Sequence, residues 1–361
     1  MGNYYRRYTG SRRRKKRHIL LGMLILLVIL LLAAGGLYLY ANRAELPEWL
    51  HFSLEKDPPE VSDPQDEQAG TTPDDDFELI IEDPADPQPQ PDEEPEPLPR
   101  VCGWYAAGTA LLEDPSGVLT DLRDSGRQQL AVLVKDGEGY SLPPDSTEEQ
   151  GAVSDQAEAF ARILSDAKSS TDTPPVAILP ALRDNLRPRK LYRSSALHVD
   201  SGATWLDRNY EAWFSPAGKD TAACLLAQLE ACQAQGFSHV ILTDFQFPTL
   251  GKTELIDDSD MTSHAAALTQ LARTLSEGTE LSLGLLLTDS AAQNLLDSDA
   301  GQDVMELAQY FDVLYVDTAA GDTDLTVLRQ ALAETDCRLG VFVDRDGILS
   351  DDSLDVIYME R

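Results

Sequence analysis

Cysteine is scarce in this chain: four residues in 361, at Cys102, Cys224, Cys232 and Cys337. That is too few to staple a protein of this size, and no CxxC or His/Cys spacing points to zinc. Cys224 and Cys232 fall in one predicted helix, too far apart along its axis to bridge each other. The thiols are therefore expected to be mostly buried and single. Basic charge is outnumbered two to one, with 29 Lys and Arg against 62 Asp and Glu and a formal net charge of −33. Beyond residue 18 there is no basic patch of the kind that phosphate binding requires, so nucleic acid is not an expected partner. The sequence also lacks a Gly-x-Ser-x-Gly elbow, a Walker loop and a His-Glu-x-x-His helix. The acidic runs at 257–260 and 344–347 lack full calcium-loop spacing. No metal or cofactor is expected.

One absence is local. Residues 19–41 contain no charged side chain at all. At about 1.5 Å per residue a helix there reaches about 34 Å, against a hydrocarbon core of about 30 Å. Residues 1–18 hold Arg6, Arg7, Arg12, Arg13, Arg14, Lys15, Lys16 and Arg17 and no acid, which assigns them to the cytoplasm. The apolar run exceeds the h-region of a cleavable signal peptide, about 7–15 residues. It predicts an uncleaved transmembrane signal-anchor at the cell membrane, with everything beyond it extracellular. Residues 42–100 are dominated by Asp, Glu, Pro and Gln, ending in Asp83-Pro84-Ala85-Asp86-Pro87 and Glu94-Pro95-Glu96-Pro97. Such a segment buries too little apolar surface to offset its ordering entropy and is expected to be a disordered, extended stalk.

Residues 101–361 are globular in composition. Short apolar, β-branched runs recur there, at 101–107, 130–135, 176–182, 239–245, 280–287, 313–317, 338–344 and 356–360. Several, such as Val240-Ile241-Leu242, are apolar on both faces, as strands of a sheet covered on both sides are. Amphipathic helical stretches at 156–168, 221–235, 265–276, 303–310 and 325–334 separate them. This α/β alternation predicts a (β/α)8 TIM-like barrel. The last strand-like run ends one residue before Arg361, so the final helix is expected to be lacking. A doubly wound open sheet is the alternative, but Ala106-Ala107-Gly108-Thr109-Ala110 matches its phosphate turn poorly.

Active sites of such barrels form at the C-terminal ends of the strands. Those ends carry Asp136, Asp184, Asp244, Asp289, Asp317 and Asp344. Paired carboxylates are what glycoside hydrolysis requires, although loop aspartates also serve as helix caps and turn formers. Asp244 stands apart because it interrupts the apolar run 240–245, where a carboxylate is costly unless paired or facing a site.

The stretch Gly236-Phe237-Ser238-His239-Val240-Ile241-Leu242-Thr243-Asp244-Phe245-Gln246-Phe247-Pro248 resembles the signature of a glycoside-hydrolase-like TIM-barrel family of bacterial surface proteins. That signature reads Gly-Phe-Asp-Glu-Ile-x-x-Asp-Tyr-x-Arg-Phe-Pro. Val134-Lys135-Asp136 and Ala177–Asp184 are similar to the ends of the family's second and third strands. Trp205-Leu206-Asp207 and Trp213-Phe214-Ser215-Pro216 are similar to elements of its long third loop. The resemblance implies a domain acting on, or binding, a polysaccharide or cell-wall glycan. It implies Asp244 as the central carboxylate, Asp136 or Asp184 as its partner, and a substrate-binding role for Lys135. Trp205, Tyr210 and Trp213, clustered in the long third loop, are the candidate substrate-binding aromatics: they stack on sugar rings or they pack the loop onto the barrel. The chain also departs from the pattern. Gln246 stands at the family's Arg, His239 replaces an acid, and no Glu ends a strand except Glu360. A catalytically inactive carbohydrate-binding barrel and a structural, partner-docking ectodomain therefore remain alternatives.

Overall fold

A computed structural model describes residues 100–359, apart from 128, 137, 145–151, 170, 172, 192–193, 319–323 and 346–352. The expected cytoplasmic segment, membrane span and nearly all of the stalk lie outside the described residues. Among those described, no helix is long and apolar enough to cross a membrane.

The chain opens with β1 (Cys102–Ala107), α1 (Gly108–Glu113), α2 (Pro115–Asp124) and β2 (Gln129–Leu133). It continues through α3 (Ala157–Lys168), β3 (Val176–Pro180), α4 (Arg187–Lys190), α5 (Thr221–Ala234) and β4 (His239–Thr243). After α6 (His264–Glu277) come β5 (Ser282–Leu286), α7 (Asp289–Asn294) and a small hairpin of β6 (Leu296–Asp297) and β7 (Gln302–Asp303). The last elements are α8 (Val304–Leu307), β8 (Val313–Asp317), α9 (Thr326–Leu332), β9 (Arg338–Asp344) and β10 (Asp355–Met359). Eight of these strands, all but the hairpin pair, close into a parallel barrel in the order β1-β2-β3-β4-β5-β8-β9-β10, with β10 pairing back to β1. The expected eight-stranded closed barrel is what the strands form.

Alternation along each strand builds two cores. Val240 and Leu242 of β4 join the large cluster shared with the helices, whereas Ile241 joins Val176, Ile178, Tyr315, Phe342 and Ile357 in the lumen. Tyr315 is fully buried and fills the middle of that lumen. The strands beside it make room with glycine: a Cβ on Gly284 would come within 2.7 Å of the Tyr315 ring, and one on Gly340 closer still. Below Tyr315 lies a polar layer. Its hydroxyl meets His239 Nε2 at 3.1 Å, and His239 Nδ1 meets Ser282 Oγ at 2.8 Å. His239 thus replaces the acid of the family signature with a neutral ring that is paired at both nitrogens.

Burial, reinforced by the nearby charge of Arg338, holds the His239 imidazole down to about 3. The unfolded chain binds this proton below about 6.5, while the folded chain refuses it until about 3. The neutral ring's contribution is therefore complete above pH 6.5 and shrinks as pH falls towards 3, by up to about 1.4 kcal/mol per pH unit. Urea unfolding between pH 7 and 4 is expected to show a steeper loss in the native chain than in His239→Gln. Equal slopes would mean the ring is already protonated in the fold.

The helices depart from expectation at three places. Residues 108–124, whose start falls in the run 106–110 weighed above as a poor phosphate turn, form α1 and α2, the second opened by Pro115 and capped by Asp114 accepting from Gly117 N. The helix expected over 303–310 is reduced to Val304–Leu307. Gly301 turns the chain at φ +76°, β6 and β7 pair, and Asp303 caps the short helix through Met305 N and Glu306 N. Asp289, expected among the mouth acids, is instead exposed in the first turn of α7, where it faces the helix N-terminus. Gly236 stops α5 at φ +79°, as expected. Cys224 and Cys232 share α5 and are buried, whereas Cys102 is exposed at the start of β1.

Candidate functional site

The long connection from β3 to α5 folds over the C-terminal end of the barrel. It is tied down by short antiparallel bridges, Arg183 with Trp213 and Leu206 with Ala212. At its tip Asp207 Oδ1 accepts from Asn209 N at 2.7 Å and Glu211 N at 3.0 Å, while its Oδ2 accepts from Trp213 Nε1 at 3.1 Å. Trp205 donates its indole N–H to Lys252 O on the β4–α6 connection at 2.9 Å. Both tryptophans are buried. They pack the loop onto the barrel, the second of the two roles considered for them, and lie off the open surface. Tyr210 is the exposed ring of the three, at 77%.

Lys135 and Asp184 converge, but on each other. Lys135, beyond the end of β2, donates to Asp184 Oδ2 at 2.8 Å and to Pro180 O at 2.7 Å. Arg187 Nη1 reaches the same carboxylate oxygen at 3.1 Å. Asp184 Oδ1 accepts from Leu186 N and Arg187 N, both at 2.9 Å, which starts the α4 turn. Burial works to raise the Asp184 carboxyl, yet Lys135, Arg187 and the backbone donors overcome it and hold it down to about 2. All three side chains are inaccessible to solvent. The cluster ties the end of the second strand to the turn after the third. Asp136, half-buried, spends Oδ1 on Glu138 N and Tyr140 N in its own turn. The sequence reading made these residues catalytic or substrate-binding; the geometry gives them structural partners.

Asp244 is placed differently. Continued alternation from Val240 and Leu242 would send it towards the helices, but its φ of +51° breaks the extended run. The carboxylate turns to Arg183, meeting Nη2 at 3.1 Å. The neighbouring strands make this possible, since Ala181 N donates to Thr243 O and Leu182 N to Asp244 O. Arg183 was not anticipated from sequence. It lies just past the end of β3 and gives Asp244 its cation. Its other terminal nitrogen, Nη1, lies 3.6 Å from Glu211 Oε2. The three side chains remain partly open to solvent, at 42% for Arg183, 24% for Asp244 and 31% for Glu211. Burial raises the Asp244 carboxyl above its usual range, opposed by Arg183 and Lys135 and assisted by the charge of Asp207. Two of the three non-glycine residues with positive φ among the described residues, Tyr210 (+65°) and Asp244 (+51°), belong to this arrangement. Such backbone costs about 1–3 kcal/mol each and collects at working sites.

Among the described residues no group of three or more His, Cys, Asp or Glu side chains is placed to hold a metal ion. No protein-family model matches the chain, and no curated protein matches it. The family signature also runs one residue out of step: laid on without a gap, Thr243 takes the place of its Asp and Asp244 that of its Tyr. Solved structures that resemble the fold are distant. A hypothetical protein from Ruminiclostridium thermocellum superposes with a TM-score of 0.45 at 16% identity, covering 50% of this chain and 96% of its own. The glycoside hydrolase domain of PelA from Pseudomonas aeruginosa gives 0.38 at 14% identity, over 68% and 83%. Ega3 from Aspergillus fumigatus, solved in complex with galactosamine, gives 0.36 at 11% identity, over 63% and 74%.

Proposed function

We propose that the mouth of the barrel is a glycan site whose working group is Asp244, and that the domain hydrolyses a cell-surface or extracellular polysaccharide. The observation that carries this reading is the strained, half-shielded carboxylate at the end of β4, held by Arg183 and raised by burial. Barrels of this kind place their chemistry at that end, and a carboxyl moved upwards in a cleft suits proton donation to a glycosidic oxygen. The exposed ring of Tyr210 supplies an apolar face beside the acids for a sugar to rest on. A second reading, binding without turnover, is favoured by the loss of Asp136 and Asp184 to internal hydrogen bonds. Incubating the protein with a panel of neutral, acidic and amino-sugar polysaccharides, and measuring both retention and new reducing ends, tests the two. Release of reducing ends is the expected result. Retention without release selects the binding barrel, and neither selects a structural, partner-docking ectodomain.

The uncharged run at 19–41 behind its basic cluster supports a single-pass anchor with the barrel outside the cell. Protease added to intact cells should then remove the barrel. Complete protection would count against that topology.

A further inference from the structure

We infer that Glu211 is the second carboxylate of this site, in place of Asp184, whose two oxygens are taken, and of Asp136, whose Oδ1 is spent in its own turn. The inference rests on the hydrolytic reading above and extends it to a named pair.

Three observations place Glu211. First, one guanidinium holds both acids by different nitrogens, Asp244 Oδ2 at 3.1 Å from Nη2 and Glu211 Oε2 at 3.6 Å from Nη1. The two terminal nitrogens of a planar guanidinium with C–N bonds of about 1.33 Å are close, so these oxygens lie within about 9 Å of each other. Both hydrolytic spacings, about 5–5.5 Å and about 6.5–9.5 Å, overlap that reach. Secondly, Glu211 Oε2 makes no hydrogen bond, although it is shielded from water. A carboxylate committed to structure collects hydrogen-bond donors, as Asp184 does; this oxygen has only the ion pair with Arg183. Thirdly, its backbone is fixed. Asp207 N donates to Glu211 O at 3.0 Å, Asp207 Oδ1 accepts from Glu211 N, and Tyr210 next to it sits at φ +65°. Position is what a reacting group must have before anything else.

The chemistry balances without a co-reactant other than water. Asp244, the more shielded acid, passes its proton to the glycosidic oxygen as the bond from that oxygen to the anomeric carbon breaks. Glu211, ionised, takes a proton from water as the water oxygen bonds to the anomeric carbon. One water is consumed, two hydroxyl ends form, and proton exchange with solvent resets both carboxyls.

The test uses the full chain and a polysaccharide that the native protein cleaves. Glu211→Gln is expected to lower kcat at least 100-fold with KM within about threefold, and to remove the acidic limb of the pH profile. Glu211→Asp, which keeps the charge, is expected to recover part of the rate. Aryl glycosides with good leaving groups should be affected as strongly as the polysaccharide, because a base is needed whatever departs. Glu211→Gln retaining native kcat and pH profile, while Asp244→Asn is inactive, would overturn the assignment and leave the site standing. Native kinetics in both variants would overturn the site as well.

Discussion

Replacing Asp184 by Asn is expected to destabilise the barrel by about 3–5 kcal/mol, the usual cost of leaving a buried partner charge unpaired. Lys135 and Arg187 would both lose the negative charge they share, at 2.8 and 3.1 Å, in a place closed to solvent. The pH dependence gives a second handle. Asp184 is held down to about 2 in the fold, against an ordinary value near 4 when unfolded. Its contribution is therefore complete above pH 4 and is lost as pH falls through 2, a window below that of His239. Denaturant unfolding of native and Asp184→Asn protein at pH 7 and again at pH 2.5 measures both. The gap should be wide at pH 7 and narrower at pH 2.5. A loss under 1 kcal/mol at pH 7, together with lost turnover, would return Asp184 to the reacting groups.

The barrel was legible because strands covered on both faces must be apolar throughout, and runs such as Val313-Leu314-Tyr315-Val316 have no other soluble use. Strand ends were less legible, since β2 stops at Leu133 and β3 at Pro180 while the apolar pattern runs on into the mouth. The hairpin at 296–303 gave no periodic signal because two-residue strands have no period. At the site, attention to carboxylates singled out Asp244 and Asp184 alike, and passed over Arg183, the immediate neighbour of the second. Sequence shows that acids crowd the strand ends; it does not show which of them already has a cation. The register Pro180 with Thr243 brings residues just past β3 beside those just past β4, and that pairing gives Arg183 to Asp244. A positive φ at a non-glycine residue left no mark in the sequence. Glu211 was missed because it lies in a loop, not at a strand end, and reaches the mouth only when Asp207 and Trp213 fold that loop back.

Asp244→Asn keeps the shape of the side chain and removes its proton and charge, and its effect is expected to be the largest on turnover. Loss of a positioned acid costs about 10²–10⁴-fold, and the effect should depend on the leaving group. A polysaccharide leaves as a poor alkoxide and needs the proton; an aryl glycoside with an acidic phenol leaves without one. Hydrolysis of polysaccharide should therefore fall by about three orders of magnitude, within that range, and hydrolysis of the aryl substrate far less. Glycan retention and melting temperature should change little, because Arg183 can still donate to the amide oxygen and keeps Glu211 at its other nitrogen. Equal losses on both substrates would move Asp244 from proton donor to nucleophile or electrostatic support. A lower melting temperature with turnover intact would make it a structural anchor for Arg183. Turnover and stability both unchanged would remove Asp244 from the mechanism, whatever strain its backbone holds.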